Sequence, residues 1–525
     1  MSTTTIETEV CIVGAGPAGA VLADALAARG IDVVVLESGP RWPLAGRAAA
    51  QRRYLRGVHP FPAPGPDLDR YTTDDADVPF LHEWKRMRGV GGASLHWEGY
   101  TLRFTEADFE LSSRYGIARD WPLGYADVEP YYGEAERALG VAGRDGEAFL
   151  PPRSSPYPLP PFPFSWSDRA LAPACEAAGV TMHSFPQARN SEAYGGRAAC
   201  LSCGTCHVCP TGAKATVDLT HVARAEASGH AVFRERCHVV RLVCDARGTV
   251  EHVRFRDGAG GEGRVHARRY ALAASGIENV RLALLSACPA HPDGLGNRSG
   301  LLGAHFMCHP AVDFSARVAT PLYPHRTGFA SAMARQFSMP VARERVGAYF
   351  FEFRNRAGMT PADIARAGGA WGRALREKVR AEFGHQAGIR LFLEHLPDPA
   401  SRVTLDPGVR DAYGDPVARV AYRIGAYERA TIAAAAAVVG RIWRALDATE
   451  PRQGAILTAA HLIGTHRMGT DPRASVVDPW QRVHDVPNLL MLGSGSFVTS
   501  SWAPPTLTIV ALALRTAETL AAELR

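Results

Sequence analysis

The sequence predicts a fold of the class α/β plus α+β, and three observations support this prediction. Residues 8–39 have the pattern of a strand, a glycine-rich turn, a helix and a second strand. Residues 237–275 alternate between apolar and polar positions in the way that further strands do. The chain has 525 residues, which is too long for one simple core, so we expect two or more domains.

The N-terminal unit begins with a strand at residues 8–13 and a glycine-rich turn, GAGPAG, at residues 14–19. Apolar side chains follow at helical spacing, at Val21, Leu22, Ala25 and Leu26. Gly30 ends that helix, and residues 32–37 form the second strand. These elements predict a Rossmann-like β-α-β unit.

The glycines of this turn satisfy the GxGxxG pattern of a dinucleotide-binding loop. Gly14 permits the tight turn, Gly16 lets a pyrophosphate approach the backbone, and Gly19 lets the helix pack against the sheet. The phosphates then face free N–H groups at the helix N-terminus. Glu37, 23 residues after Gly14, can accept hydrogen bonds from ribose hydroxyls. The motif predicts a bound dinucleotide but does not distinguish FAD from NAD.

Outside this unit, composition and periodicity predict loops, strands and helices. Residues 59–66 and 150–164 are rich in proline, so we expect ordered loops or linkers there. We expect strands at residues 239–243, 251–256, 270–274 and 489–493, an alanine-rich helix at 426–446, and a final helix that begins near Pro505.

Composition also limits partners and location. The formal net charge is +5, and no run of Lys and Arg resembles a nucleic-acid patch, so we expect no nucleic acid. No stretch of ~18 apolar residues appears, so we expect no membrane span of its own. Residues 1–10 lack the basic and apolar regions of a signal peptide. We therefore expect a cytoplasmic protein, or a periplasmic one if a partner subunit exports it already folded.

The ten cysteines form two groups. Six are scattered and are predicted to be small buried apolar residues: Cys11, Cys175, Cys237, Cys244, Cys288 and Cys308. The other four, Cys200, Cys203, Cys206 and Cys209, lie within ten residues. Two-residue gaps let their thiolates converge on one small object, and the final Cys-Pro is typical of bacterial ferredoxins. An iron–sulfur cluster is favoured over zinc, whose sites usually join two separated cysteine pairs, and over free or structural thiols.

Three further segments carry a resemblance to a known family. They are residues 88–97 (RGVGGASLHW), residues 273–278 (AASGIE), and residues 461–469 (HLIGTHRMG) continued by 475–478 (SVVD) and 505–508 (PTLT). Together with the N-terminal loop, and with SRVTLDP at residues 401–407, they resemble the glucose–methanol–choline (GMC) oxidoreductase family. The resemblance implies a flavoprotein that binds FAD and oxidises an alcohol.

Within that family, residues 119–122 (RDWP) and 129–132 (EPYY) resemble the bacterial branch of sugar and polyol dehydrogenases, to which fructose, gluconate and glucoside dehydrogenases belong. The resemblance implies a Rossmann-like FAD-binding domain with a discontinuous substrate domain built on an antiparallel sheet. We expect the FAD-binding domain at residues 1–58, 80–110, 190–310 and 455–525, and the substrate domain at residues 111–189 and 311–454.

The resemblance also implies which residues hold the flavin. Besides the N-terminal loop and Glu37, they are Gly91, Gly92, Ser94, His96, Val239, Gly493, Pro505 and Thr506. The pair Gly91-Gly92 permits a close approach of the backbone to a planar ring. In one branch of the family the histidine that resembles His96 is covalently bonded to the flavin. Here we expect contact with the flavin, and the alternative is a packed core histidine.

Oxidation of an alcohol requires a base at the hydroxyl while hydride passes to flavin N5, and histidine suits this task. The resemblance implies that this base is His461; the alternative is a structural histidine. The family's usual second His or Asn is replaced by Pro504, which has no side-chain donor. Ser501, Trp502 or His466 could supply the missing donor, and the sequence does not choose among them.

In the sugar dehydrogenase branch, the place of residues 200–209 holds an iron–sulfur cluster bound by three cysteines, followed by a Gly-Ala motif like that at residues 212–213. This chain has Cys203 in addition, and one residue fewer between Cys206 and Cys209. The resemblance therefore implies a cluster of three or four irons. Such a one-electron centre drains a two-electron flavin stepwise, which favours a dehydrogenase with a small companion subunit or a cytochrome as its electron acceptor.

Three functions follow from these observations. The first is an FAD-dependent dehydrogenase of an alcohol group on a sugar, glycoside or polyol. The second is an FAD oxidase that hands electrons to oxygen, with sterols or aminoglycoside-type sugars as substrates. The third is a non-enzymatic flavoprotein or assembly subunit, which only Pro504 suggests.

Overall fold

The computed structural model describes residues 4–61, 70–74, 78, 80, 86–324 and 327–525. Its strands are β1 (Thr4–Val13), β2 (Val33–Leu36), β3 (Tyr71–Thr73), β4 (His183–Ser184), β5 (Ala231–Arg234), β6 (His238–Cys244), β7 (Val250–Arg256), β8 (Glu262–Leu272), β9 (Pro310–Arg317), β10 (Ala332–Ala334), β11 (Tyr349–Phe353), β12 (Gln386–Leu393), β13 (Arg402–Arg410), β14 (Pro416–Ala421), β15 (Thr449–Thr458) and β16 (Leu489–Met491). Its helices are α1 (Pro17–Ala27), α2 (Arg47–Leu55), α3 (Glu106–Phe109), α4 (Leu111–Tyr115), α5 (Tyr125–Leu139), α6 (Trp166–Ala177), α7 (Ala223–Ala227), α8 (Gly276–Leu285), α9 (Pro361–Arg366), α10 (Gly372–Glu382), α11 (Ala426–Ala445) and α12 (Thr506–Leu524).

The predicted β-α-β unit lies in a sheet that has seven strands within the described residues. Their order is β5-β2-β1-β8-β7-β6, and β16 pairs with β8. Strand β1 is parallel to both β2 and β8, with Val10 opposite Val33 on one side and Arg269 on the other. Parallel pairing brings the carboxyl ends of these strands to one edge, where α/β proteins bind their ligands.

The glycine-rich turn between β1 and α1 packs closely on its neighbours. Gly14 has φ +104°, and a Cβ there would lie 2.7 Å from the Ala273 carbonyl oxygen. A Cβ on Gly19 would lie 2.0 Å from the Gly14 carbonyl oxygen. Both positions therefore require glycine for the turn and for helix–strand packing. Helix α1 begins at Pro17, within the glycine pattern.

A second sheet has the order β15-β9-β12-β11-β10-β4, with antiparallel neighbours. One face of this sheet, including Phe351 and Leu391, forms an apolar core with residues of α6 and α11. The alternate residues Phe350 and Phe392 belong to the main core instead. The strands of this sheet fall within residues 183–184, 310–393 and 449–458. The domain boundaries expected from the sequence stay a prediction.

Most of the predicted elements form, and their ends differ by a few residues. Helix α11 ends one residue before the predicted limit, and α12 begins at Thr506. Strand β8 is longer than predicted at its start, because its residues from Glu262 onward pair with β7, and it ends at Leu272. Residues 150–164 contain no helix or strand, as predicted, whereas residues 62–66 of the other proline-rich stretch lie outside the described residues.

The scattered cysteines follow the prediction in four of six cases. Cys11, Cys175, Cys237 and Cys308 are buried. The prediction is wrong for Cys244 and Cys288, which are only half-buried because they lie at the end of β6 and in the turn after α8. No helix in the described part of the chain combines the length and hydropathy needed to span a bilayer.

Candidate active site

An open cleft lies at the carboxyl edge of the seven-stranded sheet. Val13, Leu36 and Ala273, at or just beyond the ends of β1, β2 and β8, form part of its wall. The predicted site residues that line this cleft are Gly14, Gly16, Glu37, Gly92, Val239, His461, Gly493, Pro505 and Thr506. The fold thus brings residues from both ends and the middle of the chain to one place.

The other predicted flavin residues contribute to the structure behind this wall. Gly19 lies under the turn, as described above. Gly91 has φ +110°, and its carbonyl oxygen accepts a hydrogen bond of 2.6 Å from Ser94 Oγ. His96 is buried, and its carbonyl oxygen lies 2.7 Å from His207 Nδ1. The roles of these residues toward a flavin stay a prediction.

Two glycine turns meet at one end of the cleft. A Cβ on Gly92 would lie 2.7 Å from Gly16 Cα, and the Gly91 N–H donates to the Ala15 carbonyl oxygen over 3.0 Å. A Cβ on Gly16 would meet only Gly92 Cα, at 3.9 Å. The protein itself therefore leaves room at Gly16, directly before the N-terminus of α1. A glycine-lined floor at a helix N-terminus fits the pyrophosphate of a dinucleotide.

Glu37 forms a second part of this end of the cleft. Its Oε2 accepts the Ala15 N–H over 3.0 Å, and its Oε1 accepts the N–H groups of Gly39 and Gly89 over 2.8 and 3.0 Å. Burial raises the pKa of Glu37, while these backbone donors and the charge of Arg88 oppose that rise. The carboxylate is thus held rigidly against the cleft, where it fits the hydroxyls of a ribose.

The strand pairing that brings His461 to the cleft also brings a second histidine beside it. Strands β9 and β15 are antiparallel, with Pro310 opposite Thr458, so the residues just beyond them meet. His309 Nδ1 lies 2.9 Å from His461 Nδ1, and the two rings are nearly perpendicular. His309 is fully buried, and its Nε2 lies 3.0 Å from the Ser501 carbonyl oxygen.

These contacts fix the proton positions on both rings. A carbonyl oxygen only accepts hydrogen bonds, so Nε2 of His309 carries the proton that it donates to Ser501. Burial lowers the pKa of His309 to about 3, so this ring is neutral and its Nδ1 has a lone pair. His461 must then donate from Nδ1, which leaves its lone pair on Nε2. In this tautomer Nε2 of His461 can accept a proton, so the ring can act as a base.

Residues 200–209 are here called the cysteine segment. They pack against the backbone of residues 95–97, which follows the glycine turn at Gly91 and Gly92. His207 of this segment donates to the His96 carbonyl, and Lys214 Nζ donates to the carbonyl oxygens of Leu95 and Trp97 over 3.2 and 2.7 Å. Three consecutive carbonyls therefore receive hydrogen bonds from residues 207–214. The cysteine segment and the wall of the cleft form one packed unit.

The four thiols stand in different surroundings. Cys206 is buried and lies 3.8 Å from the guanidinium of Arg189, and Cys203 is exposed. Cys209 Sγ accepts the Lys214 N–H over 3.3 Å. Burial alone would raise the pKa of Cys209, but this N–H, the Thr211 hydroxyl and the charge of Lys214 outweigh it and lower the pKa. The surroundings of Cys209 thus favour its thiolate, whereas burial raises the pKa of Cys206.

Comparisons with known proteins identify the family. Two models described as GMC oxidoreductase match residues 81–311 and 397–513, and a model of an FAD-binding domain matches residues 7–52. A full-length relative is 32% identical. The chain belongs to the GMC oxidoreductase family. It is accordingly an FAD-dependent enzyme that acts on CH–OH groups.

Three relatives of this GMC chain and one solved structure illustrate the match. The chain is 32% identical to the fructose dehydrogenase large subunit of Gluconobacter japonicus, with 100% of both chains covered. It is 31% identical to 2-methyl-1,2-propanediol dehydrogenase of Mycolicibacterium austroafricanum (98% of this chain, 95% of that one) and 31% identical to 6'''-hydroxyparomomycin C oxidase of Streptomyces lividus (98% and 92%). The fold is similar to that of pyridoxine 4-oxidase from Mesorbium loti, with TM-score 0.65, 16% identity and 98% and 99% of the chains covered.

In this GMC oxidoreductase, sequence reasoning missed His309, which contacts His461. Of the three suggested substitutes for the donor lost at Pro504, Ser501 contributes its main-chain carbonyl to His309 rather than its hydroxyl to the cleft. Trp502 packs against Phe350, and the buried His466 packs against Gly495. His309 carries no local motif, and only the pairing of β9 with β15 brings it to His461.

The family model and the donor chemistry allow a test of fit for two groups. The glycine floor, the helix N-terminus and Glu37 fit FAD. In the cysteine segment, the four thiols, the N–H···S contacts at Cys200 and Cys209 and the nearby cations are chemically suited to an iron–sulfur cluster. In the described residues, however, no three His, Cys, Asp or Glu side chains stand together as a set that could hold a metal ion.

Proposed function

We propose that this protein is a dehydrogenase that oxidises an alcohol group of a sugar, glycoside or polyol to a carbonyl and passes the electrons to an external acceptor. The observation that carries the proposal is the His461–His309 pair in a cleft that fits FAD. The names of two full-length relatives, a fructose dehydrogenase and a propanediol dehydrogenase, support the substrate class and the dehydrogenase reaction.

His461 acts as the base in this proposal. Its Nε2 takes the proton of the substrate hydroxyl as the carbon gives up its hydride, and the C–O bond becomes a carbonyl. FAD bound in the cleft supplies the acceptor for that hydride. His309 accepts the Nδ1 proton of His461 and holds the ring in the tautomer that can react. The carbonyl of Ser501 holds His309 in turn.

The cysteine segment is proposed to carry electrons out of the enzyme. Cys200, Cys206 and Cys209 would hold an iron–sulfur cluster, with Cys203 as a fourth ligand if the cluster has four irons. Such a cluster supplies one-electron transfer. Burial raises the pKa of the Cys206 thiol, and the positive charges of Arg189 and Lys214 beside it oppose that rise in part. The name of the relative described as a large subunit supports a companion subunit or cytochrome as the acceptor.

An anaerobic screen of alcohols tests the proposed reaction. The FAD-loaded enzyme is mixed with fructose, gluconate, 2-methyl-1,2-propanediol and simple alcohols without oxygen, and the flavin absorbance is followed. We expect at least one polyol to bleach the flavin bands. A fully loaded enzyme that none of them reduces would contradict the proposal.

An oxidase is the second candidate function, because a full-length relative is named 6'''-hydroxyparomomycin C oxidase. Release of hydrogen peroxide distinguishes the two. After reduction by the best substrate, the dehydrogenase should transfer electrons to ferricyanide much faster than to oxygen. Rapid peroxide formation in air, at the rate of flavin reduction, would favour the oxidase.

A further inference from the structure

Two cysteines that belong neither to the cleft nor to the cysteine segment lie side by side. Cys244 is the last residue of β6, Cys288 follows α8, and both are half-buried free thiols. The two thiols are in contact, because Cys288 forms a side-chain hydrogen bond with Cys244. Both side chains pack against the edge of the main apolar core. The two residues are 44 positions apart in the chain, so only the tertiary fold brings them together.

Hydrogen bonds on either side of the pair hold the backbone in place. The Leu242 N–H donates to Ser286 Oγ over 3.0 Å, and each of these residues lies two positions before one of the cysteines. A few positions after the cysteines, His291 Nε2 donates to the Gly248 carbonyl oxygen over 3.0 Å. A disulfide forms without strain only where the fold already holds two cysteines close together. The contacts on both sides of the pair supply that condition.

The two elements that carry these cysteines also build part of the cleft. Val239 and Val240 of β6 line it, as do Glu278 and Leu282 of α8. A covalent link between the ends of β6 and α8 restrains both elements. Such a link stabilises a fold mainly because it limits the freedom of the unfolded chain.

We propose that Cys244 and Cys288 form a disulfide bond when the folded protein meets a disulfide oxidant such as oxidised glutathione. One cysteine thiolate attacks the oxidant and releases one glutathione thiol. The second cysteine then attacks this mixed disulfide and releases the other glutathione. Two S–H bonds of the protein are replaced by one S–S bond. Two electrons and two protons pass to the oxidant, which becomes two molecules of reduced glutathione.

The surroundings of the pair set the rate of this reaction. Burial and the neighbouring Cys288 thiol raise the pKa of Cys244 to about 12. The thiolate is the attacking species, so exchange should be slow at pH 7 and faster at pH 8.5. Both residues are only half-buried, so a small oxidant reaches them without unfolding of the protein.

Peptide mapping tests the bond directly. The FAD-loaded enzyme is incubated with oxidised glutathione at pH 8.5, the remaining thiols are blocked with N-ethylmaleimide, and digests are analysed by mass spectrometry before and after reduction. We expect a cross-linked peptide pair that contains Cys244 and Cys288. The pair should be absent from Cys288→Ser and present in Cys203→Ser. Blocked thiols at both positions of the wild type, or glutathione attached to each of them, would overturn the proposal.

Release of flavin on heating gives an independent measurement. The oxidised wild type should release its flavin at a temperature roughly 2–4 °C higher than the reduced protein, because the bond closes a long loop. Cys288→Ser controls for every other cysteine, and its oxidised and reduced forms should release flavin at the same temperature. No shift in the wild type, or an equal shift in the wild type and the variant, would overturn the proposed link between β6 and α8.

Discussion

The Nδ1 atoms of His309 and His461 lie 2.9 Å apart, and a main-chain carbonyl decides which of them carries the proton. His309 donates to Ser501 through Nε2, so it can only accept at Nδ1. His461 therefore keeps its lone pair at Nε2. His309 acts through His461 and is a positioning residue rather than a base.

Substitution of His309 separates positioning from packing. In His309→Asn the amide oxygen can take the place of the accepting nitrogen, so flavin reduction should stay close to the wild-type rate. In His309→Leu the acceptor is lost, and we expect reduction to slow roughly 10–100-fold, as when the partner that orients a functional histidine is removed. Stopped-flow reduction measured from pH 5.5 to 9 checks this. Identical pH profiles and rates for the Leu and Asn variants would show that His309 only fills space.

Replacement of Gly16 tests the pyrophosphate site. A Cβ on Gly16 comes no closer than 3.9 Å to a protein atom, yet it projects where the phosphates should lie. We expect a folded protein that loses most of its FAD. Gly46→Val is the matched control, because a Cβ there also meets nothing within 4 Å. The measurement is the ratio of flavin to protein after purification, with circular dichroism to verify folding. Full flavin content in Gly16→Val would remove this loop from FAD binding.

Replacement of Cys206 tests the electron exit. Cys206→Ser should leave substrate-driven flavin reduction nearly unchanged, because hydride transfer does not involve the thiols. It should sharply slow reoxidation by ferricyanide or cytochrome c. Cys203→Ser is the control and should have the smaller effect, since Cys203 is exposed. Iron and acid-labile sulfide are expected in protein purified anaerobically. An equal loss of both half-reactions would indicate that the cysteine segment has only a structural role. Zinc in place of iron would rule out electron transfer through it.

Because several histidines are buried, we predict that the protein becomes less stable in weak acid. Burial lowers the pKa values of His221, His309 and His466 to about 3, whereas an unfolded histidine has a pKa of about 6.5. Below about pH 6.5 these histidines bind protons in the unfolded chain but not in the folded chain. The free energy of unfolding therefore falls as pH decreases toward 3.

The effect of one such histidine can be isolated. His221→Leu should reduce the pH dependence of the free energy of unfolding by up to about 1.4 kcal/mol per pH unit. His230→Leu, at an exposed position, should change it little. Urea unfolding at pH 7 and pH 5.5 gives the comparison. The same pH dependence in His221→Leu as in the wild type would mean that His221 is not kept neutral by burial.

Sequence patterns predict the parts of this fold that local signals determine. The strand, the turn around Gly14 and Gly16, and Glu37 follow from one short motif, because the turn and the helix N-terminus need those residues at that spacing. Helix α11 follows from a run rich in alanine, the best helix former, which outweighs the unfavourable Gly440 within it. Predicted residues from distant segments meet in the cleft because the family motifs lie at the ends of strands.

Other features depend on pairing that no local pattern encodes. His309 meets His461 only because β9 pairs with β15, which lies about 140 residues later in the chain. Strand β8 is likewise longer than the sequence predicts because it pairs with its antiparallel neighbour β7. Burial of Cys244 and Cys288 was predicted from residue type alone, whereas their positions at element ends leave them half-buried.

The central claim is that His461 takes the hydroxyl proton while FAD accepts the hydride. Anaerobic stopped-flow reduction of the FAD-loaded enzyme, with the best polyol at saturation, tests it most directly. His461→Ala should reduce the flavin roughly 10²–10⁴-fold more slowly than the wild type, the usual contribution of a positioned base. His461→Asn, which can still donate to His309 but cannot act as a base, should be as slow, and both variants should keep their FAD. Reduction at the wild-type rate in either variant would contradict the account.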